Sequence, residues 1–221
     1  MSVGFLTALL GPTELTGDIS HDVTAFLLQH GRPKTASHSA AVAGEAARLA
    51  DVFGESPHRA SQAGWLHDVS AVFPAGERAA VARSLGIDLL PEEDAFPLIA
   101  HQKLSRLLAR ELFGVTDLAT LEAIGCHTTL RANASRLDKV VFLADKIAWD
   151  RPGVPPYLDA LMAQLQRSLD EGVLVYLRYL WEQQGTLPVV HPWFREAYKQ
   201  LAGALPGAEG RRGSGGADEP G

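Results

Sequence analysis

Amphipathic stretches closed by helix breakers follow one another along the chain, and alternating strand patterns are few. Asp18 and Ser20 precede the run ISHDVTAFLLQH, which stops at Gly31. A second run, from about Thr35 to Phe53, is rich in alanine, the best helix former, and stops at Gly54. Ser56-Pro57 is an N-cap followed by proline at the first helical position, and that helix should reach about Asp68. The same start-and-stop grammar predicts helices from about Pro74 to Leu85, Pro97 to Phe113 and Asp117 to Cys126. Ser135 and Asp138 have the spacing of a capping box and open SRLDKVVFLADKIAW, which ends before Arg151-Pro152-Gly153. Pro155-Pro156 starts one or two helices through about Gln184, and Pro192 starts a last one to about Leu205. The apolar start MSVGFLTALLGP lacks a basic stretch before it and reads as a docked segment rather than a signal peptide. No period of 20–50 residues repeats, which excludes a solenoid. The predicted class is all-α: one domain over residues 1–205, then a glycine-rich, disordered tail over 206–221.

Composition narrows the function. At 221 residues the chain can bury a core without staples, and its single cysteine, Cys126, excludes a disulfide framework and a four-cysteine zinc site. Acids outnumber bases 26 to 20, which argues against binding nucleic acid by charge. No apolar run approaches the roughly eighteen residues of a membrane helix, so a cytoplasmic protein is expected.

Candidate chemistry lies in the histidines. His21, His30, His58 and His191 fall near helix ends or on polar faces and read as surface or capping residues. His38, His67, His101 and His127 fall within or at the end of helices among apolar neighbours. His67-Asp68 pairs an imidazole with a carboxylate, a mix that suits Zn, Fe or Mn, although the aspartate could merely end the helix. His21-Asp22 repeats the dipeptide and reads as a chance case. Asp145 sits in VVFLADKIAW, where a carboxylate needs a cation: a metal, or a neighbouring lysine or arginine. Each histidine taken singly is an ordinary core residue. As a set, His38, His67, His101, His127 and Asp145 follow one another at 29, 34, 26 and 18 residues, which fits helices converging on one metal site.

The order H…HD…H…H…D resembles the HD-domain superfamily of metal-dependent phosphohydrolases, and within it the bacterial YqeK-type symmetrical diadenosine tetraphosphatases. The matching stretches are ASHSAAVAGEAARLADVFG, AGWLHDVS, IAHQKLSRLLARELFGVTD, AIGCHTTLRANASRLDKVVFLADKI and the following WDR, together about residues 30 to 152. The resemblance implies a helical bundle holding two divalent metals, iron favoured, with Mn, Zn or Co as alternatives. His38, His67, Asp68 and Asp145 would hold the first, and Asp68, His101 and His127 the second, Asp68 bridging. Thr128, Arg131 and Arg151 match family positions near the phosphates, and with Asp68 form the expected catalytic group. The family commonly reads H-D-x-x-K, and here Ala71 stands at the lysine position. Lys103, Lys34, Arg32 or Lys146 are candidates to supply that charge. The implied reaction splits diadenosine tetraphosphate into two ADP. Another phosphate ester, an oxygenase role and a non-catalytic nucleotide-binding module stay open. Residues from about 155 to 205 should form helices that cover the site or build a dimer surface.

Overall fold

The computed structural model describes residues 3–150 and 152–205; Arg151 and the predicted tail lie outside the described residues. Its twelve α-helices and three short 3-10 turns enclose the core, and no strand occurs among the described residues. Six helices build the centre: α2 (Ile19–Gln29), α3 (Pro33–Phe53), α4 (Pro57–Leu66), α7 (His101–Glu111), α8 (Leu118–Cys126) and α9 (Arg136–Ile147). The longest, α3, buries Ser39, Val42, Ala43, Ala46, Leu49 and Ala50, one stripe at helical spacing. Small residues on that stripe let α4 approach closely. A Cβ at Gly64 would lie 2.6 Å from the Ala43 Cα, so glycine is required there.

Most predicted boundaries recur, and their caps explain them. Asp18 accepts from Ser20 and His21 backbone N–H groups, Ser56 from Arg59, Asp117 from Thr120, and Ser135 with Asp138 forms the reciprocal box. Helix α3 ends at Gly54 in the left-handed conformation. The differences are local. Helix α4 stops at Leu66, and two 3-10 turns (Val69–Val72, Ala75–Glu77) lead into α5 (Arg78–Ser84). Helix α6 (Pro91–Ala95) was not predicted, and Pro97–Ala100 is a 3-10 turn before α7. The start of the chain is a helix, α1 (Val3–Leu10). It docks through Phe5 stacked on Phe73 and through His30, whose Nε2–H donates to the Leu9 carbonyl.

Helices α10 (Leu158–Leu165), α11 (Leu169–Glu182) and α12 (Pro192–Ala204) follow the centre, and α11 packs on α9. Aromatic rings make that joint: Tyr176 meets Phe142 edge-on at 5.5 Å and Tyr157 at 4.8 Å, and Tyr157 meets Trp149 at 6.3 Å. Among the described residues, no helix is long and apolar enough to cross a membrane.

Candidate metal centre

Five separate segments deliver the six candidate residues. His38 lies on α3, His67 follows the last turn of α4, and Asp68 leads into the next 3-10 turn. His101 opens α7, His127 follows α8, and Asp145 lies in the last turn of α9. The fold brings all six together. His38 Nε2 is 3.1 Å from Asp145 Oδ1, and His67 Nε2 is 3.6 Å from the same oxygen. Asp68 divides its oxygens: Oδ2 is 3.7 Å from His67, while Oδ1 is 3.2 Å from His101 and 3.8 Å from His127. Two compact donor sets result, His38 with His67 and Asp145, and His67 with Asp68 and His127.

Three of the imidazoles are oriented alike. Each places Nδ1 against the carbonyl three residues earlier: His67 on Gly64 at 2.7 Å, His101 on Leu98 at 2.6 Å, His127 on Ile124 at 2.8 Å. A carbonyl only accepts, so Nδ1 carries the hydrogen and Nε2 presents a lone pair inward. His101 and His127 then aim lone pairs at each other across 2.9 Å, and the buried His67 Nε2 has no hydrogen-bond partner. Lone pairs converging with carboxylates, away from water, are what divalent cations satisfy, so the donor set fits them.

Electrostatics agree with that chemistry. Burial alone would lift the Asp68 carboxyl, but the neighbouring His67 above all outweighs it and holds it well below the usual range. Asp145 is likewise held low, against burial, by Lys146 and by its histidine neighbours. Burial lowers His127 strongly and His101 as well, so both stay neutral, the state a ligand needs. His67 is the exception: burial pulls it down, but Asp68 and Asp145 bring it up to about 9.

Around the centre, other side chains fix the loops. Both readings of Asp145 hold at once, because Oδ2 accepts from Lys146 while Oδ1 faces His38 and His67. Lys146 is buried over the Phe142 and Tyr176 rings at 5.2 and 5.5 Å. Thr128 Oγ1 lies 3.0 Å from His101 Nε2 and 3.1 Å from His127 Nε2. Buried Leu130 adopts a left-handed φ of 55°, which turns the chain just after this threonine.

The candidate phosphate-binding cations are dispersed. Arg131 pairs with Glu122 and, at 3.0 Å, with Asp138. Lys103 points away from His101's face of α7 and pairs with Glu93 at 2.7 Å, under the Trp193 ring. Lys34 is exposed in the first turn of α3. Sequence reasoning passed over Gln102, whose Oε1 accepts from the Thr128 backbone at 3.2 Å, and Ser70, whose hydroxyl donates to the His101 carbonyl at 2.9 Å. It also passed over Arg78, buried at the start of α5. Glutamine, serine and arginine at such positions carry no motif; only the folded neighbourhood marks them. The second His-Asp pair does separate work: Asp22 accepts from the Thr16 and Gly17 backbone N–H groups at 2.8 and 2.9 Å and staples a loop.

Comparison with known proteins points to the same chemistry. The HD domain family model matches residues 35–150. A Lactococcus lactis subsp. cremoris protein, "Uncharacterized protein in pepC 5'region", is 45% identical over 150 residues, covering 68% of this chain and 76% of its own. A Staphylococcus aureus protein named symmetrical bis(5'-nucleosyl)-tetraphosphatase is 33% identical over 144 residues, covering 63% of this chain and 72% of its own. The Bacillus subtilis protein of that name is 30% identical, covering 62% and 74%. Among solved structures, a Clostridium acetobutylicum protein described as a predicted HD superfamily hydrolase involved in NAD metabolism superposes with a TM-score of 0.75 at 26% identity. It covers 83% of this chain and 96% of that one.

Proposed function

The chain belongs to the HD domain family, whose members are metal-dependent phosphohydrolases, and from that premise we propose that it hydrolyses dinucleoside polyphosphates, diadenosine tetraphosphate first among them. The observation that carries this reading is the buried convergence of histidine lone pairs and two carboxylates held ionised. His38, His67, Asp68 and Asp145 would hold one divalent ion, and Asp68, His101 and His127 a second, with one Asp68 oxygen turned to each side. Ions held there supply water of lowered pKa and offset phosphate charge. Imidazole with carboxylate accommodates Fe, Mn, Zn or Co; the likeness to the tetraphosphatases makes iron the first choice.

The reaction is a displacement at phosphorus. A water oxygen forms a bond to the second or third phosphate, the bridging P–O bond between them breaks, and the bridging oxygen leaves on the other ADP. Water supplies the oxygen and the proton lost to solvent, so two ADP account for every atom. Thr128, within hydrogen-bond reach of two Nε2 atoms, is placed to orient the attacked phosphate. Lys146 is a positioning residue that acts through Asp145. Arg131 and Lys103 would reach substrate only by exchanging Glu122 and Glu93, whereas Arg151 is placed near the phosphates on resemblance alone and Lys34 is a candidate only for the missing lysine's charge.

Ala71 favours one second reading, the same chemistry on another nucleotide or phosphate ester. Metal analysis of anaerobically purified protein, coupled to chromatography of products, tests both. About two metals per chain and ADP as the sole product meet the first reading. Two metals with turnover only on other esters meet the second. Binding of nucleotide without turnover on any ester, over several metals, overturns both and leaves a nucleotide-binding module.

A further inference from the structure

Ala71 leaves the centre without the lysine of H-D-x-x-K, yet the chain brings a cation back toward it ten positions after Asp68. The two 3-10 turns after Asp68 fold back, and Arg78 opens α5, which packs on α7 and on the Pro97–Ala100 turn that presents His101. Arg78 is only 9% exposed, and its Nε–H donates to the Phe73 carbonyl at 3.3 Å. That bond pins the stem and leaves the two terminal nitrogens unclaimed.

Its pairing is exceptional. The other strongly buried ions have direct partners: Lys146 has Asp145, Glu93 has Lys103, Asp138 has Arg131, and Asp22 has its loop N–H groups. Among the described residues, Arg78 is the buried lysine or arginine with no carboxylate at salt-bridge distance. A guanidinium cannot shed its proton to escape that cost. The charges that act on it are Asp68, which favours it, and Arg32, which repels it. Arg32 stands just before α3, has no carboxylate partner either, and keeps its Nε buried and unbonded. Arg78 thus lies within electrostatic reach of Asp68 and of the Arg32 guanidinium, and neither arginine has an ion-pair partner among the described residues, an arrangement that suits a multiply charged oxyanion.

We propose that Arg78, with Arg32 beside it, is the phosphate-gripping pair of this chain and fills the role that Ala71 leaves vacant. The ligand class is an oligophosphate chain whose next phosphoryl group lies over the Asp68 centre. The assignment rests on the phosphate-substrate reading above, so its test uses a probe independent of turnover.

That probe is inorganic tripolyphosphate, titrated calorimetrically into the metal-loaded full chain. The native protein should bind it. Arg78→Met should weaken binding at least about tenfold and raise KM for diadenosine tetraphosphate, with metal content and Tm unchanged. Ala71→Lys added to Arg78→Met should restore part of the affinity. Arg32→Gln, a change at a half-exposed site, should weaken binding by a smaller factor and gives an answer even if Arg78→Met fails to fold. Undiminished affinity in Arg78→Met or in Arg32→Gln overturns the pair. So does no binding by the native protein, or a loss of metal in Arg78→Met that Ala71→Lys does not mend. Arg78-dependent binding in a protein that hydrolyses no diadenosine tetraphosphate keeps the pair and removes that substrate.

Discussion

At the scale of residues, burial decides which charges matter. Lys146 and Asp145 are both largely buried and in contact, so removing one strands the other. Lys146→Met should cost about 3 kcal/mol, visible in denaturant titration, and should weaken metal binding without touching substrate. Asp22 behaves differently because the Thr16 and Gly17 backbone N–H groups and the Thr16 hydroxyl, rather than a buried lysine or arginine, hold it. Burial raises its carboxyl and the Thr16 and Gly17 donors outweigh that, leaving its pKa below the ordinary value. Its stabilisation is therefore present above the unfolded carboxylate range and is lost as pH falls through the folded value. Asp22→Asn should cost roughly 2 kcal/mol at neutral pH, and the difference from the native protein should vanish in strong acid. The six central residues were legible in sequence because histidine and aspartate among apolar neighbours are rare enough to stand out as a set. Arg78 was not, since GERAAVARS reads as an ordinary helix start and its burial comes from α7 and the Pro97 turn.

At the scale of elements, α3 and α4 pack backbone against backbone at Gly64 and Ala43. Gly64→Ala would press a methyl group into the Ala43 backbone, which cannot swing aside. The variant should lose about 1–3 kcal/mol and bind metal more weakly, because α4 carries His67 and Asp68 at its end. Gly125→Ala is the control. Its methyl group would meet the Arg106 Cδ at 2.9 Å, and a flexible side chain can move, so melting should show a much smaller loss. Helix limits were legible wherever a capping side chain or a left-handed glycine marks them. The region between Asp68 and His101 was not, because short 3-10 turns and the five-residue α6 have too few positions to show a period. Pro91 with three acids in its first turn was the one local sign of α6.

At the scale of the whole molecule, helices that lie far apart in sequence converge on the centre. Metal bound there would cross-link α3, α4, α7, α8 and α9 and would favour the folded state by mass action. Chelation should lower Tm by several degrees, and readdition should restore it; scanning calorimetry at fixed protein concentration reads both. An unchanged Tm would mean that the helices hold the donors together unaided. The C-terminal helices were foreseen as elements, but not their task of seating Lys146 under Tyr176, which depends on ring packing between α9 and α11.

The aromatic joint at the end of α9 also gives the protein an optical readout. Trp149 follows Asp145 by four residues and touches Tyr157, and Trp65 precedes His67 by two. Two of the four indoles thus lie within four residues in sequence of candidate ligands. Paramagnetic iron quenches nearby emission and closed-shell zinc does not, so the ratio of signals with the two metals should distinguish them during loading, with no nucleotide present.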